Sequence, residues 1–319
     1  KAKLESGILD SKERSRTERK LQRFEASVPT KETLILVDEA GMVGTKQWEP
    51  LVSMALHTGA KLIVCGDDHQ YKAIDAGDIF RKVKEKAFEQ DKGAELQEIF
   101  RQSPDWMKEA SVQLSQLETT TALMAYENKG HVRELSTKSE MIQEMASQYL
   151  TKTLANPKDS GCVLTSTNNV RLELNTAIRE QLQNQGLLGS DLLTYQGKGF
   201  AIGEKIVFLE NDKRQFKVKS ESEKFFVRNG TRGVIENIDP IVIQDKQGQE
   251  INTHTLTVRV SDTERVRFHL KDYDHFDHAY AVTGYKAQGQ TLNWSLVHLN
   301  SKLEAYGLYV MMTRHRDDM

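Results

Sequence analysis

Apolar and polar positions change texture several times along the 319 residues. Residues 1–32 are dense in charge, with Lys12, Glu13, Arg14, Arg16, Glu18, Arg19 and Lys20 close together, and read as a solvated helix or as an ordered remnant whose partner has gone. At Leu34 the pattern switches. Leu34-Ile35-Leu36-Val37 is wholly apolar and closed by two acids, which predicts a strand buried on both faces of a parallel sheet. Trp48, Leu51, Val52 and Leu56 recur at helical spacing and predict a helix over 46–57, stopped by Thr58-Gly59. A second strand is predicted over 62–65. Strand, helix and strand with short links form a βαβ unit, and hence an α/β class.

Residues 103–157 read as mainly helical, with a strand over 131–135. Residues 162–165 repeat the buried-strand pattern, and 170–187 the helix behind it. Between about 203 and 272 alternation takes over. Runs at 205–209, 233–238, 253–260 and 265–270 are divided by Asn229-Gly230, Gly233 and Gly248, which predicts a small inserted β-barrel. After Tyr273 the α/β texture returns, with a buried strand over 294–299.

Composition narrows the picture only slightly. No apolar run approaches the ~18 residues that cross a bilayer, and no secretory signal opens the chain. A cytoplasmic protein without membrane insertion is therefore expected. Cys65 and Cys162 lie in or beside apolar runs and read as reduced core thiols. The nine histidines, His275 and His278 among them, show no metal spacing and read as structural or surface residues. A net charge of −2 neither announces nor excludes nucleic acid, because a motor can confine positive charge to one groove.

The chemistry lies at the strand ends. Asp38-Glu39 closes the first strand, at the edge where ligands sit in open α/β sheets. One acid there can hold the water shell of Mg²⁺ while its neighbour polarises a water. The second strand ends in Gly66-Asp67-Asp68-His69-Gln70, where Gln70 can orient a water. Each motif alone reads equally well as a polar turn; two in succession on one sheet edge shift the balance. Arg101 and Arg314 follow apolar or aromatic residues and read either as phosphate-neutralising cations or as interface ion pairs. Residues 280–291 gather Thr283, Lys286, Gln288 and Gly289, a set able to grip a phosphodiester backbone or to form an ordinary glycine-bearing loop.

Taken in order, these motifs resemble those of RecD-like superfamily-one helicases, in particular the motor of TraA/TraI-type conjugative relaxases. Leu36–Met42 resembles the Walker B motif, and Gly66–Gln70 the Gly-Asp-Pro-x-Gln motif. Phe100-Arg101-Gln102 resembles the motif whose arginine reaches the γ-phosphate. Thr283–Gly289 resembles the Thr-x-x-Lys-Ser-Gln-Gly motif, and Tyr309–Arg314 the last motif. The resemblance implies two RecA-like parallel-sheet lobes with an SH3-like β-barrel inserted in the second. Residues 1–95 would form the first lobe, 96–202 with 273–319 the second, and 203–272 the barrel.

It also implies ATP and Mg²⁺ as cofactors of the parent protein. Asp38 would hold the metal, and Asp67 and Gly289 would line the nucleotide. Glu39 would be the general base, with Gln70, Arg101 and Arg314 at the γ-phosphate. Thr283, Lys286, Gln288 and Thr165 would contact single-stranded DNA. The expected activity is 5′-to-3′ DNA translocation in conjugation, with a relaxase domain in the same polypeptide and the conjugation machinery as partners. The chain departs from the family in lacking any Gly-x-x-x-x-Gly-Lys-Ser/Thr loop. Ala2–Ile8 looks like the segment that follows this loop, so a piece beginning just downstream of it is expected, one that would not hydrolyse ATP by itself. Asp68 stands where proline is usual and Ala287 where serine is. Two alternatives stay open: a vestigial module that binds DNA without hydrolysis, and a RecD-like repair helicase.

Overall fold

The computed structural model describes residues 28–73, 77–157, 160–212, 227–244, 248–301 and 303–319. Of the charge-rich stretch 1–32, expected to be helical, residues 1–27 lie outside them, and 28–32 form a bend and a turn rather than a helix. The chain divides into two compact units, 1–96 and 97–319.

In the first unit, β1 (Leu34–Val37) and β2 (Lys61–Val64) pair in parallel, Leu34 opposite Lys61 and Val37 opposite Val64. Helices α1 (Thr45–Thr58) and α2 (Ile79–Glu89) follow the two strands in turn. Gly59, with φ 69°, ends α1 in the left-handed conformation that glycine adopts without a side-chain clash. A small core gathers Ala40, Trp48 and Phe80 with Val37, Leu51 and Val64. The other sheet face stays open: Leu34 is 57% and Leu36 62% exposed, and Cys65 is exposed as well. This corrects the expectation of a strand buried on both faces and of a core thiol at Cys65. An apolar run shows that a strand suits burial, but the number of layers covering it depends on elements elsewhere in the chain.

The second unit opens with α3 (Asp105–Ser115), α4 (Thr119–Asn128) and α5 (Lys138–Ala155). Thr137 caps α5: its hydroxyl accepts from the Glu140 amide while the Glu140 carboxylate accepts from the Thr137 amide. The expected strand at 131–135 does not form among the described residues; the segment is held by Val132 in the helical core and by His131 Nδ1, 2.6 Å from the Met319 carbonyl. Strand β3 (Gly161–Thr165) leads into α6 (Asn168–Asn184). A hairpin of β4 (Leu193–Tyr195) and β5 (Lys198–Phe200) turns at Gln196-Gly197, both at positive φ as a tight two-residue turn requires.

The inserted sheet comprises β6 (Lys205–Phe208), β7 (Arg232–Gln244), β8 (Glu250–Arg259), β9 (Arg265–His269) and β10 (Phe276–His278). It is antiparallel, ordered β10-β6-β7-β8-β9, and encloses one core that includes Phe200, Phe208, Phe268 and Phe276. No pairing between β9 and β10 closes it into a barrel among the described residues. Strand β7 runs further than its alternation suggested. Pro240 falls where β7 has left β6 and is paired by β8 on one side only, the setting in which a strand tolerates proline.

The chain then returns through β11 (Ala281–Thr283), α7 (Gly284–Ala287), β12 (Leu292–Val297), α8 (Ala305–Met312) and β13 (His315–Asp318). The order β11-β3-β12-β13 is wholly parallel. Both faces of β3 are covered: Val163 packs with α5 and α6, while Cys162 and Leu164 pack with Met311 of α8. Gly161 has no space for a side chain, since an added Cβ would lie 1.9 Å from the Trp294 ring.

Burial makes this unit sensitive to acid. It pushes the His315 imidazole down to about 4, and it lowers His278 and His298 in the same direction. In the unfolded chain these rings take up protons near the ordinary value of ~6.5. Stability present above that pH is therefore lost as pH falls through the lower folded values. For His315 alone the loss is about 2 kcal/mol by pH 5. Urea unfolding is expected to show a lower midpoint at about pH 5 than at about pH 7.5, and equal midpoints would mean that water reaches the ring.

Candidate functional site

The parallel register of β1 and β2 delivers Asp38 and Cys65 side by side at the carboxyl ends of the strands. Two backbone bonds join the loops that follow: Cys65 N donates to the Val37 carbonyl at 2.7 Å, and Ala40 N to the Cys65 carbonyl at 2.9 Å. Glu39 is forced into the left-handed region, φ 50° and ψ 41°, a strain of about 1–2 kcal/mol for a residue with a Cβ. Its amide donates to Asp38 Oδ1 at 2.9 Å. Gly66 makes the close approach possible. A Cβ there would meet the Phe80 ring at 3.0 Å and the Ala40 and Gly41 amide nitrogens at 3.1 and 3.2 Å.

Asp67 organises the second loop. Its Oδ1 accepts from the His69 amide at 2.9 Å, and its Oδ2 from Gln70 Nε2 at 3.1 Å. Gln70 Oε1 is buried and has no hydrogen-bond partner. Burial alone would raise the Asp68 carboxyl, but the Lys84 ammonium at 2.6 Å overrides it and holds the carboxyl below its usual value. The unusual acid at 68 is thus neutralised within its own unit. His69 Nδ1 lies 3.7 Å from both Asp67 and Asp68, and the three side chains bring donor atoms within 4.8 Å of one another. Histidine spacing gave no sign of this cluster, which is made of adjacent residues folded into one turn.

The second unit gathers the remaining candidates. Arg101 Nε donates to Thr291 Oγ1 at 3.2 Å and its Nη1 to the Thr313 carbonyl at 2.9 Å. Arg314 Nη2 donates to Thr313 Oγ1 at 3.1 Å, so the two arginines meet at one threonine. Arg314 is 2% exposed, and its Nε is spent on the Val310 carbonyl at 2.9 Å. The expected cleft-facing guanidinium is enclosed in this structure. Thr165 and Thr283 are register partners at the ends of β3 and β11, but Thr165 is fully buried with its hydroxyl 3.1 Å from His298 Nδ1. A DNA contact through the Thr165 side chain does not fit that position. Thr283 and Lys286 are half-buried, and neither the Thr283 hydroxyl nor the Lys286 ammonium has a hydrogen-bond or ion-pair partner among the described residues. Burial, then the nearby Arg171, lowers the Lys286 ammonium. Gly289 turns the chain at φ 74°, beside the half-buried Gln288.

Four residues that the motifs did not mark, Arg171, Asn175, Lys198 and Asp277, hold this region together. Asn175 Nδ2 donates to the carbonyls of Arg171 and Ala281, at 2.9 and 3.0 Å, and its Oδ1 accepts from the amides of Tyr280 and Ala281, both at 3.0 Å. Arg171 and Lys198 both bond Asp277. They come from separate segments, and a polar residue within a helix looks like a surface residue until its partner strand is known.

The sequence family described as AAA domain matches residues 9–137. The conjugal transfer protein TraA of Rhizobium radiobacter is 30% identical over 297 residues, covering 90% of this chain. TraA of Agrobacterium fabrum (strain C58 / ATCC 33970) is 29% identical over 291 residues, again with 90% of this chain covered. The chain spans 24% of the length of both relatives. Among solved structures, a Pif1 helicase from Bacteroides in complex with ADP-AlF3 and ssDNA matches with a TM-score of 0.51 and 15% identity, over 89% of this chain and 68% of that one. That likeness establishes the mixed α/β, RecA-like helicase fold with its parallel sheets. Motif series, relatives and fold point the same way: the chain is similar over most of its length to a part of the conjugal transfer protein TraA, and it has the RecA-like helicase fold.

Proposed function

We propose that this chain is part of an ATP-dependent DNA helicase that moves 5′-to-3′ on single-stranded DNA during conjugative transfer. One observation carries the reading. Two adjacent parallel strands end together in Asp38-Glu39 and in the Asp67–Gln70 turn, joined by backbone hydrogen bonds. The conjugal-transfer naming of the TraA relatives supports the pathway. A relaxase domain in the same polypeptide, the conjugation machinery and a cytoplasmic location belong to the same proposal. No helix among the described residues is long and apolar enough to cross a membrane.

The residues fit a Mg²⁺-nucleotide. Asp38 is exposed with one oxygen fixed by the Glu39 amide, and Gln70 presents a buried acceptor that lacks a partner. ATP would supply a phosphoanhydride bond whose hydrolysis drives movement. Asp38 would hold the metal's water shell, and Glu39 would take the proton of a water at its carboxylate. Asp67 fixes Gln70, which would orient that water. Within the second unit, Arg101 would offset phosphate charge. In the second unit, Thr283, Lys286 and Gln288 would hold the strand through its phosphates.

The lack of any Gly-Lys-Ser/Thr loop in the 319 residues favours DNA binding without turnover by this chain alone. Assayed for both activities, it is expected to bind an oligo-dT strand and to show no DNA-stimulated ATP hydrolysis. Absence of strand binding would overturn the proposal. Hydrolysis abolished by Glu39→Gln would show that another segment of these 319 residues cradles the phosphates.

A further inference from the structure

We propose that Arg171, Lys198 and Lys286, gathered around the single carboxylate of Asp277, form a phosphate-binding locus for the backbone of a single strand. The inference rests on the DNA-binding reading above and extends it to two residues outside the recognised motifs.

Asp277 is 6% exposed and both its oxygens are occupied. Arg171 Nη1 donates to Oδ2 at 3.0 Å, while Lys198 Nζ donates to Oδ1 at 2.6 Å and the His278 amide to the same oxygen at 2.8 Å. The Lys286 ammonium stands within electrostatic reach of both Arg171 and Asp277, yet it has no hydrogen-bond or ion-pair partner among the described residues. Two cations thus bond one carboxylate, and a third stands nearby without a bond of its own. The next acid, Glu204, does not balance them, because it accepts from Arg179 Nε at 2.9 Å and from the Tyr280 hydroxyl at 2.6 Å.

A structural ion pair needs one cation. Partly burying two more beside it is unfavourable, since like charges repel and each loses solvation. The excess is not the by-product of one charged helix either. Its members come from α6, β5 and α7, and the carboxylate from β10. An anion of one or two charges would restore the balance, and a phosphate ester has both the charge and the acceptor oxygens to engage an ammonium and a guanidinium together. Lys198 and Arg171 keep side-chain exposures of 33% and 14%, so the locus is open to solvent. The unpartnered hydroxyl of Thr283, three residues before Lys286, gives a strand a next point of contact.

The test is equilibrium binding of a labelled oligo-dT strand to the 319-residue chain, between about 50 and 200 mM salt, for wild type and for Lys198→Gln, Arg171→Gln and Lys286→Gln. Each variant is expected to bind several-fold more weakly at low salt. Each should also lower the slope of log affinity against log salt by roughly 0.7, the value for one lost contact to a single strand. Lys198→Gln is decisive because its side chain is the more exposed, so its folding is the least at risk; circular dichroism melting checks that all variants fold. Weakened binding by Lys286→Gln, with Lys198→Gln at wild-type affinity and slope, would overturn this inference and leave the DNA reading standing. A wild-type chain that binds no strand would overturn both. Displacement of the strand by pyrophosphate from wild type, but not from Lys198→Gln, would assign the locus to a free nucleotide phosphate and overturn the strand assignment.

Discussion

Glu39→Gln is expected to lower DNA-stimulated ATP hydrolysis by about a hundredfold or more, measured in a protein that joins this segment to a Gly-Lys-Ser/Thr loop, with nucleotide affinity little changed. Glutamine keeps the size of the side chain and removes only its capacity to accept a proton. The backbone should tolerate the change. Glu39 already sits at φ 50°, held by the bond from Ala40 N to the Cys65 carbonyl and by its own amide on Asp38. Both restraints are independent of the carboxylate. General-base assistance contributes ~10²–10⁴ in rate, so a loss below tenfold would remove Glu39 from that role. Glu39→Asp, which shortens the side chain but keeps the base, should retain more activity than Glu39→Gln; the reverse order would point to a steric cause.

Glu204→Ala is expected to destabilise the second unit by about 2–4 kcal/mol, through the loss of one arm of a buried ion-pair network and of the acceptor of a buried phenol. The carboxylate is fully buried where the chain enters the inserted sheet. It joins Arg179 of α6 to the hydroxyl of Tyr280, which lies just before β11, and the Ala201 amide reaches it at 3.4 Å. Truncation would leave the Arg179 guanidinium with Asp191 as its ion-pair partner and would strand a phenol whose proton is already held tightly by burial and by Glu204. Urea unfolding followed by tryptophan fluorescence would read the loss through Trp294, which packs edge-on against Tyr149. A shift under about 1 kcal/mol would mean that water replaces the carboxylate, and the insertion would then be fastened by its apolar core alone.

The α/β frame was legible because its signals are local. Apolar runs fell on β1, β2 and β3, the first two followed by acids, and helical spacing fell on α1 and α6. The motifs lie at strand ends for a related reason: Asp38 follows β1 directly and Gly66 follows β2 after Cys65, so sequence order and spatial order coincide. What escaped the reading depends on partners distant in the chain. The exposure of Leu34, Leu36 and Cys65 follows from which layers cover the sheet, and no residue of the strand encodes that. Arg314 looks the same in sequence whether its guanidinium faces a ligand or, as here, the Val310 carbonyl. Thr165 fits a strand end either way, and only His298, more than a hundred residues on, fixes its hydroxyl inside. The Arg171–Asp277–Lys198 group was invisible for the same reason: three unremarkable charges become a site only when three segments converge.

Asn175 is a side chain with no capacity left. An amide offers two donor hydrogens and two acceptor lone pairs, and here two carbonyls and two amides use all of them. It therefore behaves as a short piece of β-strand grafted onto a helix, and it ties α6 to the start of β11. Arg171 lies one turn before it and Thr283 two residues beyond its farthest contact. The interval between that cation and that hydroxyl is thus set as by a gauge block, so a strand lying along them would meet a fixed spacing rather than an adjustable one.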